Sequence, residues 1–269
     1  NSDGHGRAEF LGSLLVRGKP LLTEANLEIV FGPLGETVIG TGLIGGGEVH
    51  FDYQSPPDGI PQLILNTKNA GRVLAGLGIT ETVRSGVMRL TNQFRDKVFQ
   101  SYDTRIELND FSIVEAPRAL RVFSVLSVAG LYSLVQGDGT AFERGLAVFE
   151  TRGSEVKIVS LKARGAAVGL SMLGVYDRSS KQLDVSGNLV PINQISQLLG
   201  DVPVLGDLIT GVDKLGIFVT QFKLTGPIDK PVTEVNPVSS FAPGVIRDLF
   251  SPNWLGNEKK RLLGPTSQE

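Results

Sequence analysis

The sequence predicts a mainly β protein whose strands follow one another along the chain in antiparallel order. Apolar and polar residues alternate with a period of two from end to end, which is typical of strands. The 33 glycines and 14 prolines among 269 residues supply many turns. The strand-like runs also lie too close together for a helix between successive strands, so a meander is favoured over βαβ units.

Five runs show the alternation most clearly. In each run one side is apolar and the other is mostly small or polar, as expected for a strand with one face against an apolar layer. The apolar positions are Leu27, Ile29 and Phe31; Val49, Phe51 and Tyr53; Ile106 and Leu108; Val168, Leu170, Met172 and Tyr176; and Leu183, Val185 and Leu189. Between Val156 and Leu161 the alternation slips by one residue, which predicts a β-bulge.

The predicted helices are few and short. One runs from Asn69 to Leu77, with Asn66 or Thr67 as its cap, and a second runs from Pro117 to about Leu134. Two more, at residues 192–199 and 204–209, are amphipathic because their apolar positions recur at three and four residues. A last helix starts near Pro243. We expect one domain over residues 1–250 and a flexible polar tail over residues 251–269.

The motifs give little support to nucleotide or metal chemistry. The run Gly40 to Gly45 matches a dinucleotide-binding pattern, but a strand-like segment follows it where that motif needs a helix, so a glycine-rich hairpin is predicted. The two histidines are far apart, no cysteine is present, and His50 is expected to face outward from a strand. No metal site or cofactor is therefore predicted.

Composition and acid–base patterns argue against other function classes. The net charge of −2 gives no electrostatic reason to bind nucleic acid. The carboxylates are scattered and suggest no general acid and base pair, such as a glycan hydrolase requires. The most apolar window, Ala119 to Val135, is too short to span a bilayer. We expect a protein that is not an enzyme.

The C-terminal third carries a distinctive order of glycines and prolines. It begins at Gly187 to Pro191, continues with Pro203 to Gly206 between two short apolar helices, and closes with Asn236-Pro237 and Ala242 to Gly244. Together with the helix near Asn69, this order resembles the C-terminal region of AsmA-like proteins of the bacterial cell envelope. The resemblance covers roughly residues 60–250.

The resemblance implies a fold and a role. It implies a curved antiparallel sheet that forms an open apolar groove, with short amphipathic helices near the C-terminal end. It also implies a periplasmic protein, tethered to the inner membrane through a part that precedes Asn1, that carries phospholipid between the inner and outer membranes. We expect the C-terminal end to meet the inner leaflet of the outer membrane or an envelope protein. Single strands of this length, at about 3.3 Å per residue, could not span the envelope.

Two sets of residues are predicted to carry this function. Residues expected to line the groove are Ile106, Leu108, Val168, Leu170, Met172, Leu183, Val185, Phe218 and Phe222. Residues expected to contact a membrane or partner are Ile195, Leu198, Leu199, Val204, Leu205 and Leu208. Asp201 and Asp207 accompany the second set without a nearby cation, so this contact would be hydrophobic.

A different class of function also fits the pattern. A sheet with one apolar face and few helices must close on itself, dimerise or hold a lipid. The alternative is therefore a non-catalytic envelope interaction or assembly module, with a closed β core and a helix-mediated docking site.

Overall fold

The computed structural model describes residues 6–16, 19–114, 139–166, 168–191 and 219–238. Within these ranges the chain forms one sheet of thirteen strands and one helix, α1 (Ala70–Gly76). The strands are β1 Gly6–Val16, β2 Lys19–Gly32, β3 Gly35–Ile44, β4 Gly47–Ser55, β5 Gln62–Thr67, β6 Val83–Phe94, β7 Ser101–Ile113, β8 Thr140–Arg152, β9 Glu155–Arg164, β10 Val168–Asp177, β11 Gln182–Pro191, β12 Val219–Pro227 and β13 Val232–Val238.

The spatial order of the strands is their order in the chain. Each strand pairs antiparallel with the next, and among the described residues β1 and β13 lie at opposite edges, so the sheet is not closed. This confirms the predicted mainly β class and the meander. The Gly40 to Gly45 run lies in and just after β3, and a turn at Gly45-Gly46 leads into β4, so the hairpin prediction is also confirmed.

The predicted β-bulge is present in β9. Both neighbouring strands shift register between Ile158 and Leu161, because Val159 is an extra residue in the ladder. The bulge returns Leu161 and Ala163 to the face that carries Ile158. Without it the two halves of β9 would present their apolar residues to opposite faces.

The one described helix differs from its prediction at its start. Asn69, not Asn66 or Thr67, is the N-cap: its side-chain oxygen accepts a hydrogen bond from Arg72 N at 3.3 Å. Thr67 holds the capping residue in position. Its hydroxyl accepts a hydrogen bond from Asn69 N and donates one to Glu48 O at 2.6 Å. The other helices predicted from the sequence, at residues 117–134, 192–199, 204–209 and near Pro243, lie outside the described residues, as does the tail.

The two ends of the strands differ. One end, here called the turn rim, carries the connections at residues 33–34, 56–61, 95–100, 153–154, 178–181 and 228–231. The other end, here called the helix rim, carries α1 and the two longest connections, residues 114–139 and 192–218. The sheet therefore has one rim of short turns and one rim from which every long connection leaves.

Candidate functional site

One row of residues crosses the whole sheet without a polar side chain. Its members are direct cross-strand partners, strand by strand, so all of them point to the same face. The row, here called the central row, is Phe10, Leu27, Gly40, Phe51, Leu65, Leu90, Ile106, Ala147, Leu161, Met172, Gly187, Phe222 and Val235. The face that carries it is called the apolar face below.

The apolar face is packed as well as apolar. Together with the partly buried residues packed against it, a single hydrophobic cluster runs from Phe10 in β1 to Val235 in β13 and contains every non-glycine member of the central row. Leu27, Leu65, Leu90, Ile106 and Phe222 are buried in it. The other members, among them Phe51, Leu161 and Met172, are partly buried. The central row is thus continuous and apolar, with both deeply covered and accessible positions, while polar residues such as Asn92 and Thr104 share its face nearer the turn rim.

Eight of the nine predicted lining residues are described, and all eight belong to this cluster. Ile106, Met172 and Phe222 lie in the central row itself. Leu108 and Leu170 share the next row toward the helix rim, which runs through Gly145 and Ala163. The remaining described residues are Val168, Leu183 and Val185. Whether any of them contacts a lipid stays a prediction.

The other predicted site residues cannot be placed. Phe218 lies outside the described residues, and so do all six residues predicted to contact a membrane or partner: Ile195, Leu198, Leu199, Val204, Leu205 and Leu208.

The lining residues predicted from the sequence do not include any from the N-terminal half of the apolar face. Phe10, Leu65 and Leu90 are cluster members in the central row, yet none is among the predicted lining residues. Alternation alone did not connect them to the C-terminal strands, because it shows the faces of one strand but not which residues of two strands are partners. The two-residue turns at residues 45–46 and 153–154 could have shown which residues are partners, since a tight turn fixes the register of its hairpin.

Two glycines in the central row make room for a neighbour. A Cβ on Gly187 would lie 2.3 Å from Cζ of Phe222 and 2.7 Å from the backbone oxygen of Ser171. A Cβ on Gly40 would lie 2.2 Å from the backbone oxygen of Asn26. The Phe222 ring therefore lies against Gly187 in β11 and fills the space that a glycine leaves.

Helix α1 lies against the apolar face at the helix rim. Ala70, Val73 and Leu74 are buried in the same cluster as the strands. Gly71 makes the close approach possible, because a Cβ there would be 2.7 Å from the Val83 backbone oxygen. The helix ends with Gly78 at φ +68°, while Gly78 N and Ile79 N donate to Ala75 O and Leu74 O. This short helix thus covers part of the apolar face near β3, β4 and β6.

The opposite face is polar along the neighbouring row. One residue away from the central row, the cross-strand partners include His50, Asn66, Arg89, Glu107, Lys162, Ser171, Asn188 and Gln221. His50 lies on this face near Glu48, as expected for an outward-facing strand histidine. An exception surrounds β8, where Leu146 and Val148 are buried on the polar face and pack with the bulge residue Val159.

Aromatic residues mark one stretch of the turn rim. Phe94 contacts Tyr53, Phe99 and Tyr102 edge-on, with ring centroids 6.4, 4.7 and 6.2 Å apart. Beside this cluster is an open depression of about 550 Å³, lined by Phe31, Gly32, Gly35, Glu36, Tyr53, Ser55, Pro56, Pro57, Pro61, Lys97 and Phe99. Tyr53 lies two residues after Phe51 in β4 and therefore points to the same face. The depression thus reaches the edge of the apolar face at the turn rim.

The turn rim also holds linked charges. Asp103 accepts hydrogen bonds from Arg95 and from Arg152, the latter at 2.8 Å. Arg178 donates to the backbone oxygen of Gly153 at 2.7 Å. The Ser179 hydroxyl and the backbone N–H of Ser180 lower the pKa of Asp177 to about 2, so this turn keeps its carboxylate at any physiological pH.

No family model, no curated protein and no solved structure matches this chain. In the described ranges no group of three or more metal-ligating side chains comes together. None of the helical segments in those ranges has the length and hydropathy that a bilayer crossing requires.

Proposed function

We propose that this protein is an AsmA-like lipid carrier whose apolar face holds the acyl chains of phospholipid during transfer between the inner and outer membranes of a bacterial envelope. The central row carries the proposal, because it extends over all thirteen strands of an unclosed sheet without a polar interruption. In this proposal the sheet curves around its apolar face to form a groove. Sheets of more than about ten strands rarely stay open without curling, which supports that shape.

The direction of the central row suits transfer over distance. Thirteen strands at about 4.8 Å spacing give a row of roughly 58 Å, measured across the strands. The hydrocarbon thickness of one leaflet is about 15 Å, so a lipid would move along this row in several steps. Each acyl methylene removed from water contributes about 0.8 kcal/mol, and sliding exchanges one apolar contact for another. No catalytic residue is required.

The predicted contact residues between Ile195 and Leu208 have a place in this proposal. Their connection leaves the sheet at the helix rim, between β11 and β12. We assign the apolar positions of residues 192–209 to contact with the inner leaflet of the outer membrane or with an envelope protein. The periplasmic location and the inner-membrane tether belong to the same proposal.

Adjacent residues of β10 provide a matched test of lipid binding. Met172 lies in the central row, whereas Leu173 points to the opposite face and is 60% exposed. Met172→Glu should abolish phospholipid recovery in organic extracts of the purified protein, because it places a charge where acyl chains would lie. Leu173→Glu should leave the recovery unchanged. Mass spectrometry measures lipid content, and circular dichroism shows that both variants fold.

Equal lipid content in the two variants would contradict the assignment of the apolar face. Absence of lipid from the unsubstituted protein, together with failure to take it up from vesicles, would contradict lipid carriage itself.

A second function is supported by the burial of the apolar face. Val49 and Met88 are at most 1% exposed, so part of the apolar face is already covered by the chain itself. A non-catalytic interaction or assembly module with a dry core accounts for this burial directly. It predicts that purified protein contains no lipid and that Met172→Glu impairs folding instead of lipid content.

A further inference from the structure

The depression beside the aromatic cluster combines aromatic rings with one charge of each sign. Its aromatic lining residues are Phe31, Tyr53 and Phe99, and its charged lining residues are Glu36 and Lys97. Within the described part of the chain neither Glu36 nor Lys97 forms an ion pair. The volume of about 550 Å³ is that of a small-ligand cleft, for which about 300–1,000 Å³ is usual. A small ligand that carries both charges would therefore meet an opposite charge for each.

The aromatic walls of the depression are held in place by their neighbours. Phe94 contacts the Tyr53 and Phe99 rings edge-on, with centroids 6.4 and 4.7 Å apart. Phe99 adopts φ +58°, a conformation that costs energy for an aromatic residue. The carboxylate of Asp96 holds this turn, since it accepts a hydrogen bond from Gln100 N at 2.9 Å. The strained turn thus keeps the Phe99 ring at the depression.

This lining suits a phosphate that is joined to an ammonium group. Aromatic rings attract alkylammonium ions through their faces, which is how aromatic cages recognise quaternary ammonium ligands. The Glu36 carboxylate adds the opposite charge, and the Ser55 hydroxyl adds a hydrogen-bond acceptor. Lys97, in the β6–β7 turn, has the charge and the donors to bind a phosphate.

The depression lies at the end of an apolar path along the strands. Phe31, Glu36 and Ser55 are cross-strand partners on the apolar face, four residues from the central row in their own strands. The row between them and the central row consists of Ile29, Val38, Tyr53 and Leu63. In β6 and β7 the same row carries Asn92 and Thr104 instead. The side chains therefore connect the turn rim to the central row without an amide or a charge at β2 to β5, where the depression lies.

The length of this path matches the length of a lipid. Four residues of a strand extend over about 13 Å. The hydrocarbon thickness of one leaflet is about 15 Å. A phospholipid whose headgroup occupied the depression would thus lay its acyl chains across the central row.

We propose that the depression binds the headgroup of a zwitterionic phospholipid, in which a phosphate and an ammonium group are both present. This inference rests on the proposed lipid carriage and adds a substrate class to it. Glu36 and the rings of Tyr53 and Phe99 hold the ammonium group, and Lys97 binds the phosphate. A phospholipid with an uncharged alcohol in its headgroup lacks the ammonium group, so it binds more weakly.

Lipid selection tests this assignment. The purified protein is incubated with vesicles of equal amounts of deuterated phosphatidylethanolamine and phosphatidylglycerol, and its bound lipid is measured by mass spectrometry. The unsubstituted protein should be enriched in phosphatidylethanolamine about fivefold or more. Glu36→Gln should bring the ratio close to that of the vesicles without lowering the total bound lipid. The matched control is Asp58→Asn, which removes an exposed carboxylate of the same rim outside the lining and should keep the enrichment.

A second pair of variants tests the aromatic contribution. Phe99→Leu retains an apolar side chain but removes the ring, so it should lower the enrichment about threefold. Val98→Ala alters the neighbouring residue of the same turn, which lies outside the lining, and should leave the enrichment unchanged. Circular dichroism shows that all four variants fold.

The outcomes separate the headgroup site from lipid carriage. Bound lipid in the proportions of the vesicles, or equal ratios in Glu36→Gln and Asp58→Asn, would overturn the headgroup site and leave carriage standing. Absence of bound lipid would contradict carriage, and a titration with soluble glycerophosphoethanolamine would then decide the site. Shifts of the Tyr53 and Phe99 ring resonances that glycerophosphoglycerol does not produce would support it, and unchanged resonances would overturn it.

Discussion

Gly187 shows how one position shapes the apolar face. Its neighbour in the central row is Phe222, whose ring occupies the space in which a side chain on residue 187 would lie. The arrangement lets a large apolar side chain lie flat on the sheet instead of standing away from it. The pair keeps the central row apolar where residue 187 has no side chain.

Gly187→Ala should lower the free energy of unfolding by about 1–3 kcal/mol, because the new Cβ overlaps both the Phe222 ring and the Ser171 backbone oxygen. Urea denaturation followed by circular dichroism measures the change. Gly6→Ala is the control, since a Cβ there meets only a side-chain atom of Phe31 at 3.8 Å. Adding Phe222→Leu should restore part of the loss, and equal stability of the two glycine variants would contradict the proposed overlap.

At the scale of elements, the stability of α1 depends on its cap and its packing more than on its length. Its seven residues are too few for stability in isolation, so packing of Val73 and Leu74 and the hydrogen bonds of Asn69 and Thr67 decide whether it forms. The sequence predicted the helix nearly correctly. It placed the cap too early, because Asn66, Thr67 and Asn69 are all favourable capping residues and only the path of the chain after β5 selects among them.

Asn69→Ala should destabilise the protein by about 1 kcal/mol, because the backbone N–H of Arg72 loses its acceptor. Asn69→Asp keeps an oxygen in the same position and should cost much less. Urea denaturation gives the free energy, and hydrogen exchange of Arg72 N–H shows where the loss arises. Unchanged protection of that amide in Asn69→Ala would argue against the cap.

At the scale of the whole molecule, strand number sets the length of the apolar face. Single strands of this length remain too short to span an envelope, but the central row crosses the strands instead of following them. Each added hairpin extends that row by about 10 Å. A chain of this type becomes longer by repeating strands, with no need for long ones.

Small-angle X-ray scattering should give a radius of gyration clearly above about 18 Å, the value for a compact domain of 269 residues. The reason is the unclosed sheet, whose thirteen strands extend over roughly 58 Å if it stays open. A value near 18 Å would contradict an extended sheet in solution and would support the closed interaction module.

The sequence by itself determined the faces of the strands. Because successive side chains of a strand point in opposite directions, the alternation of Ile106 and Leu108 with Arg105 and Glu107 assigned those residues to two faces before any fold was known. The bulge at Val159 followed from the same rule. Turn chemistry likewise separated the strands and favoured a glycine-rich hairpin at the Gly40 to Gly45 run.

Only the tertiary structure decided how the faces join. Register between strands depends on pairings between residues far apart in the chain, and it brings Phe10, Ile106 and Val235 into one row. It also places three exposed apolar residues, Leu34, Ile60 and Val98, on the turn rim, although 64 residues of sequence separate the first from the last. Alternation is a property of covalent geometry, whereas a shared row or rim exists only after the strands have paired.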